Sequence, residues 1–348
     1  MNKIDKEIWV FLSHSNKDYD KVRVVRNLLE EQNFRPIMFF LCCLEDDEEI
    51  NDLIKREIDS RTRFILCDSE NARQSNWVQK ELEYIKSKER SYQTIDLSKS
   101  KEEIAKELKS YRSSTEIFIS YKSENRLIAE ELHTRLNKYD FFAFISSKDL
   151  QPERNYSEQI KYNIEQATSL KSKGLFVALI NNNTFNSLFS KAEIDYAIKL
   201  GGSKKVLVVL LEPNIQGADY LKFMDCHHID VSGSSSKVDS IIDAILRRAL
   251  DVGSLLALAR DFRQGLNRLQ DIHEAELCWN IYEEKANLSI NPYAEVSLAK
   301  EYEAGLAVEK DLYKALELYT GAVTNGLKQY IKDCDRVRNL IKKEEEKY

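Results

Sequence analysis

The chain has 348 residues, of which 43% are hydrophobic and 32% are charged, with only 10 Gly and 4 Pro. This length exceeds one typical core, so two or three domains are expected, rich in helix and poor in long loops. The formal net charge of −6 gives no global basic field, which argues against binding to nucleic acid or to an anionic membrane. No apolar run approaches the ~20 residues of a membrane helix.

Cysteine usage and the start of the chain point to a reducing compartment. The six cysteines form no C-x-x-C pair, so neither a zinc site nor a disulfide framework is predicted. The first residues are charged and lack the apolar core of a signal peptide. A cytoplasmic location without a resident metal is therefore expected.

Residues 8–98 alternate short apolar runs with amphipathic stretches, which predicts βαβ units and a parallel sheet. The predicted strands lie at 9–13, 36–41, 64–67 and, more weakly, 94–97. The predicted helices lie near 22–29, 50–58, 78–85 and 99–111.

Residues 116–250 repeat this alternation with longer apolar runs. The predicted strands lie at 117–121, 142–145, 175–180, 206–211 and 229–231, and a last helix is predicted at 238–250. Continuous apolar strands are typical of a sheet covered by helices on both faces.

From residue 253 onward the strand pattern stops and a 40-residue repeat begins. Gly265 and Asp271 correspond to Gly305 and Asp311, and several apolar positions agree at the same spacing. A period of this length predicts stacked helix pairs, with glycine ending a helix in each pair. The predicted domains are therefore 1–111, 112–250 and 251–348.

The two α/β regions carry the same strand-plus-carboxylate module. Phe11 and Ser13 in the first region match Phe118 and Ser120 in the second. Farther along, a serine and an aromatic residue precede a glutamate at equal spacing. These trios are Ser75, Trp77, Glu81 and Ser187, Phe189, Glu193.

These motifs resemble the TIR domain family. Phe118-Ile119-Ser120-Tyr121 is similar to its first-strand motif, and residues 142–152 are similar to its second strand and the start of the following loop. The two serine–aromatic–glutamate trios resemble the helix motif that carries the essential glutamate of TIR enzymes. The resemblance implies an α/β fold class, with two flavodoxin-like parallel-sheet TIR domains followed by an all-α helical-repeat region. That last region resembles Sel-like repeats of the tetratricopeptide type.

The resemblance also implies an activity. TIR enzymes cleave the bond between nicotinamide and ribose in NAD+, so NAD+ is expected as a substrate and no separate cofactor is expected. It assigns Glu193 and Glu81 as catalytic carboxylates. It places nucleotide contacts at Ser13, Trp77, Ser120, Tyr121, Lys122, Asp149 and Phe189. Whether the product is hydrolysed or cyclised stays open.

The family resemblance further implies partners and a setting. TIR enzymes act after self-association, because the loop of one domain completes the site of its neighbour, and bacterial members serve defence signalling. In this chain, the loop near Asp149 is expected to complete the pocket around Glu81, or two chains are expected to complete the pockets of Glu193. A protein partner or activator is expected at the Sel-like repeats.

Plainer interpretations exist for each of these residues. A glutamate on an α/β helix is most often a solvated surface residue. Trp77 and Phe189 fit core anchors, residues 120–122 fit a strand-end turn, and Asp149 fits a loop-shaping residue. The alternative function is a non-enzymatic TIR scaffold or adaptor, and a weaker one is a nucleotide-sensing or nucleoside-transferring domain.

The chain departs from the family pattern at three places. The second copy has Ser146 where an acidic residue is usual and Glu153 where a glycine is usual, the first copy has the acidic stretch 41–49 as its loop, and Phe189 replaces the helix tryptophan in the second copy.

Overall fold

A computed structural model describes most of the chain. The described residues are 8–32, 34–38, 47–59, 63–88, 92–111, 116–139, 141–146, 156–169, 174–184, 188–215, 225–289 and 291–346. The chain divides into two compact units. The first unit is Met1–Gly233 with Asn267–Leu269, and the second unit is Ser234–Leu266 with Gln270–Tyr348.

The first α/β region, called here the first copy, forms a four-stranded sheet. Its strands are β1 (Ile8–Ser13), β2 (Phe34–Met38), β3 (Arg63–Asp68) and β4 (Gln93–Asp96). All pairs are parallel and the order is β2-β1-β3-β4. Its helices are α1 (Tyr19–Glu30), α2 (Asp47–Asp59), the single turn α3 (Glu70–Arg73), α4 (Asn76–Ser87) and α5 (Lys101–Tyr111).

Alternation along β1 gives this sheet a core on each face. Val10 and Leu12 pack with residues of α1 and α5, whereas Phe11 packs with residues of α2 and α4. Neighbouring side chains of a strand point to opposite faces, so a strand with apolar residues at every position needs helices on both sides. The first copy is therefore a three-layer, doubly wound domain.

The second α/β region, called here the second copy, forms a five-stranded parallel sheet. Its strands are β5 (Glu116–Ser120), β6 (Phe142–Phe144), β7 (Leu175–Ile180), β8 (Val206–Leu210) and β9 (His227–Asp230). The order is β6-β5-β7-β8-β9. Its helices within the first unit are α6 (Arg126–Lys138), α7 (Tyr156–Thr168) and α8 (Leu188–Gly201). The predicted α/β fold class is confirmed in both copies.

Aromatic residues anchor the core of the second copy. Phe118 on β5 stacks on Phe144 and on Phe176, with 5.3 Å between ring centroids in each pair. In the described part of the first copy, Phe11 and Phe64 form a tilted pair at the corresponding place, with centroids 6.3 Å apart. The central strands are thus fixed by different aromatic packing in the two copies.

A buried arginine joins the two copies. The guanidinium carbon of Arg63 lies 5.6 Å from the ring centroid of Phe34 in the first copy and 5.6 Å from that of Phe142 in the second. Arg63, Phe34 and Phe142 are the first residues of β3, β2 and β6. This contact between copies therefore lies at the amino-terminal edge of both parallel sheets.

The second unit is helical. Its helices are α9 (Lys237–Ala249), α10 (Val252–Gln264), α11 (Ile272–Asn287), α12 (Pro292–Ala304), α13 (Leu312–Thr324) and α14 (Ile331–Glu345). Gly265 and Gly305 end α10 and α12 in the left-handed conformation, with φ of 64° and 69°. Asp271 and Asp311 then cap α11 and α13. The 40-residue repeat is thus confirmed as a repeated helix pair. Across the described residues, no helix has both the length and the apolar composition needed to cross a membrane.

Candidate active site

A serine ends the central strand of each sheet. Ser13 is the last residue of β1 and pairs with Leu66 of β3, and Ser120 is the last residue of β5 and pairs with Ala178 of β7. From β1 the chain passes to β2 on one side and then to β3 on the other, and β5, β6 and β7 follow the same path. In open α/β sheets, ligands bind outside the carboxyl ends of the strands at such a switch point.

In the first copy, Ser13 meets Glu81 from helix α4. Ser75 caps the start of α4 with its side chain, which fixes where the helix begins. Glu81 follows one and a half turns later, and the Ser13 hydroxyl donates a hydrogen bond to its Oε2 at 2.5 Å. Glu81 is only 9% exposed. Burial raises the pKa of Glu81 to about 7, although the hydrogen bond from Ser13 acts in the opposite direction.

In the second copy, Ser120 meets Glu193 from helix α8 in the same way. The Ser120 hydroxyl donates to Oε2 of Glu193 at 2.5 Å. Glu193 is half-buried, so its carboxylate is more accessible than that of Glu81. Burial raises the pKa of Glu193 as well, and the hydrogen bond from Ser120 lowers it.

The two serine–glutamate pairs form despite different chain lengths between their members. The partners are 68 residues apart in the first copy and 73 residues apart in the second. The sequence pattern predicts both serines and both glutamates as site residues but does not pair them. The structure brings each serine and its glutamate into direct contact at the carboxyl edge of a sheet.

A buried histidine, His14, follows Ser13 in the first copy. Nδ1 of His14 lies 2.9 Å from the carbonyl oxygen of Leu12, which fixes Nδ1 as the protonated nitrogen. Nε2 is then a lone-pair acceptor, and within the described residues it is buried with no hydrogen-bond partner. Burial lowers the pKa of His14, which favours the neutral ring.

In the second copy, Tyr121 and Lys122 follow the serine. Both are half-buried. The Lys122 ammonium lies 3.6 Å from Oε1 of Glu124 and donates to the carbonyl oxygen of Asn183 at 3.4 Å. The equivalent of Lys122 in the first copy is Ser15, so the cation is a feature of the second copy.

Of the two aromatic residues on helices that are predicted near the site, the structure describes the side chain of Trp77 but not that of Phe189. Trp77 is half-buried against the core of the first copy, and the Lys80 ammonium lies 4.6 Å from its ring centroid. Phe189 lies in α8, but its side chain is outside the described residues. Asp149 also lies outside the described residues. Trp77 packs against the core, and the nucleotide contacts proposed for Trp77, Phe189 and Asp149 stay predictions.

Sequence reasoning misses a set of polar residues in the turns around both pairs. Asp18, Ser69 and Asn71 are hydrogen-bonded in the first copy. Glu124 is hydrogen-bonded to Asn181 and Asn183 in the second. The acid occupies adjacent, non-equivalent positions in the two copies, because Lys17 aligns with Glu124 and Asp18 aligns with Asn125. An alignment of the two copies therefore does not show that both turns contain a hydrogen-bonded acidic residue. Among the described residues, no cluster of three or more His, Cys, Asp or Glu could hold a metal ion.

Two doubly wound sheets, each with a serine–glutamate pair at its switch point, define a protein with tandem α/β domains. A family model for the TIR domain matches residues 10–108 and 117–246, which is more than half of the chain. The chain belongs to the TIR domain family. No curated protein matches it, and no solved structure does.

Proposed function

We propose that this protein cleaves the bond between nicotinamide and ribose in NAD+, and that Glu193 is the carboxylate that acts. The observation that supports this proposal is the serine–glutamate hydrogen bond at the switch point, which occurs at 2.5 Å in both copies. A carboxylate held at a fixed place in a ligand-binding crevice is the group that this reaction needs.

Loss of nicotinamide leaves positive charge on the ribose, as in glycoside hydrolysis. A preorganised carboxylate stabilises that charge as it develops, and such electrostatic stabilisation is usually the largest catalytic contribution. The Ser120 hydroxyl donates its hydrogen bond to Oε2 of Glu193. Oε1 is then the oxygen that accepts a hydrogen bond from a ribose hydroxyl. The pyridine ring leaves without being protonated, so a second carboxylate is not required.

Two observations favour the second copy as the catalytic one. Glu193 is more accessible than Glu81, whose carboxyl is buried and has a pKa of about 7. A carboxyl with that pKa is about half protonated at neutral pH, and the protonated form stabilises a cation poorly. In addition, Lys122 supplies a cation for the dinucleotide phosphates in the second copy, where the first copy has Ser15.

Association with further TIR domains is part of the proposal. The contact through Arg63 lies at the amino-terminal edge of the sheets, and the candidate sites lie at the carboxyl edge. A site that is completed by the loop of another TIR domain would therefore take that loop from another chain.

The proposal gives the helical unit a role in recruiting a partner. Its repeated helix pairs are the basis for this role, because stacked helix pairs of the Sel-like type bind proteins along one face. A signalling role in bacterial defence follows from the TIR assignment and belongs to the same proposal.

The experiment is to incubate the purified full chain at high concentration with NAD+ and to identify every product. We expect free nicotinamide together with ADP-ribose or a cyclic nucleotide. Glu193→Gln keeps the shape of the side chain and removes its charge, so we expect a loss of about 100- to 1,000-fold in rate. Glu81→Gln is the matched control in the other copy, and we expect its rate to stay close to that of the wild type.

Two results would contradict the proposal. One is a wild-type protein that releases no nicotinamide even when concentrated, which would favour the scaffold function. The other is full activity in both single variants, which would separate NAD+ cleavage from the serine–glutamate pairs.

A further inference from the structure

A carboxylate and two amides connect the turns on either side of the second copy's switch point. Glu124 lies in the turn after β5, and Asn181 and Asn183 lie in the turn after β7. The Asn181 amide donates to Oε2 of Glu124 at 2.8 Å, and the Asn183 amide lies 3.2 Å and 3.3 Å from its two oxygens. These bonds keep the pKa of Glu124 below its usual range, so the group is ionised at neutral pH. We call these three residues the turn clamp.

The first copy has an equivalent clamp built from different residues. Asp18 is buried and accepts from the Ser69 hydroxyl at 2.5 Å and from the Asn71 amide at 2.9 Å. Ser69 and Asn71 align with Asn181 and Asn183, whereas the acid has moved by one position along the chain. Two turns keep the same connection after their sequences have diverged, which indicates that the connection itself matters.

The turn after β7, which contains Asn181 and Asn183, is also held by hydrogen bonds on its other side. The backbone NH and the side-chain amide of Asn182 both donate to Oε2 of Glu212, at 3.0 Å and 2.8 Å. Glu212 follows β8, so the turns after β5, β7 and β8 are all connected at the carboxyl edge. Because hydrogen bonds hold this turn from two sides, a side chain that contacts the turn is held at a defined position.

Lys122 is the residue that this rigid turn positions. Its ammonium donates to the carbonyl oxygen of Asn183 and lies beside Glu124. An ammonium has three N–H donors, so these two contacts leave one for a ligand. The side chain of Lys122 is 29% exposed, and Lys122 lies two residues after Ser120 in the chain, in the turn that follows β5.

We propose that Glu124 is a positioning residue that holds the Lys122 ammonium against the diphosphate of a dinucleotide bound at Glu193. The inference rests on the proposed function and deepens it, because it names the residue that positions the cation for the diphosphate. The clamp is shared by both copies, but a lysine two residues after the strand-end serine occurs in the second copy, where the first copy has Ser15. The second copy is therefore the one that binds the diphosphate.

The test compares steady-state kinetics of full-length variants with NAD+. Glu124→Gln keeps the size of the side chain and removes the charge that fixes Lys122. We expect KM to rise about tenfold, the effect of losing one hydrogen bond to a charged group, while kcat changes little. Glu131→Gln removes an equal charge from an exposed position on the adjacent helix α6 and serves as the control.

A rescue variant comes from the chain itself. The double variant Glu124→Lys with Asn125→Asp reproduces Lys17 and Asp18 of the first copy and moves the acid to its alternative position. We expect it to recover a KM close to that of the wild type. A purely structural effect of Glu124→Gln would change kcat and KM together. A KM that stays unchanged in Glu124→Gln, or a double variant that is worse than the single one, overturns the proposal.

Hydrogen exchange separates this inference from the proposed function. Without NAD+, Glu124→Gln should speed amide exchange in the segment 181–184, and Glu131→Gln should not. If the wild type neither cleaves nor binds NAD+, the proposed function and the ligand named here both fail. If amide exchange in 181–184 is also the same in Glu124→Gln as in the wild type, the structural role of the turn clamp fails as well. If NAD+ is cleaved but Glu124→Gln has wild-type kinetics, only the positioning role fails.

Discussion

The two TIR copies keep the same hydrogen bond in different surroundings. In each, a strand-end serine donates to a helix glutamate at 2.5 Å. Around that bond the copies differ, because Glu81 is buried whereas Glu193 is half-buried, and the serine is followed by His14 in the first copy and by Tyr121 and Lys122 in the second. The comparison teaches that the fold preserves the geometry of the pair, while the burial of the carboxyl differs between the copies.

Core substitutions should separate the copies most strongly. Phe118→Ala removes the middle ring of a three-ring stack, and Phe11→Ala removes one ring of a tilted pair. We expect Phe118→Ala to lower the free energy of unfolding by about 3–5 kcal/mol. We expect this loss to exceed that of Phe11→Ala, because the rings of Phe144 and Phe176 lie closer to Phe118 than the Phe64 ring lies to Phe11, and each close ring pair contributes about 0.5–1.5 kcal/mol. Urea unfolding monitored by circular dichroism measures both values, and a larger loss for Phe11→Ala would contradict the comparison.

The buried carboxyl of the first copy should make stability depend on pH. The pKa of Glu81 is about 7 in the folded protein and near 4.5 when the chain is unfolded. Between these values the folded state binds more protons, so the free energy of unfolding falls as pH rises. The full penalty above pH 7 is about 3 kcal/mol.

Glu81→Gln removes that penalty. The stability of the variant relative to the wild type should therefore increase from pH 4.5 to pH 8, by up to about 3 kcal/mol. Thermal unfolding at several pH values provides the measurement, with Glu83→Gln as the control because Glu83 is exposed on the same helix. A constant difference between wild type and Glu81→Gln across this range would show that Glu81 is not buried as described.

A smaller effect is expected at the contact between the copies. Arg63→Met keeps an unbranched stem but removes the charge that lies over Phe34 and Phe142. We expect a loss of about 1–2 kcal/mol, the range for two cation–π contacts with little solvent. Calorimetry of the full chain would detect it, with Arg56→Met on the exposed face of α2 as the control. Equal melting curves for the two variants would argue against this contact.

Much of the fold is predictable because apolar runs and strands coincide. The run at 175–180 matches β7 at both ends, and the runs at 64–67 and 117–121 match β3 and β5 within one residue. The 40-residue spacing of Gly265 and Gly305 also predicts the helix pairs, because a glycine in the left-handed conformation ends a helix.

The candidate site is predictable only in part. The strand-end serines and the helix glutamates repeat in the sequence, but their hydrogen bond joins residues 68 or 73 positions apart and depends on tertiary packing. The difference in burial between Glu81 and Glu193 leaves no local signal, because both follow the same motif. The turn clamp is invisible for a different reason: Asp18 and Glu124 occupy non-equivalent positions, and only their partners align.

The Arg63 contact has a consequence for how chains would assemble. It joins the amino-terminal edges of two sheets and so leaves the carboxyl edge of each copy outside the contact. Under the proposed association, one polypeptide would offer two carboxyl edges to neighbouring chains. If each edge recruits a neighbouring chain head to tail, growth does not stop at a closed dimer but continues as a filament.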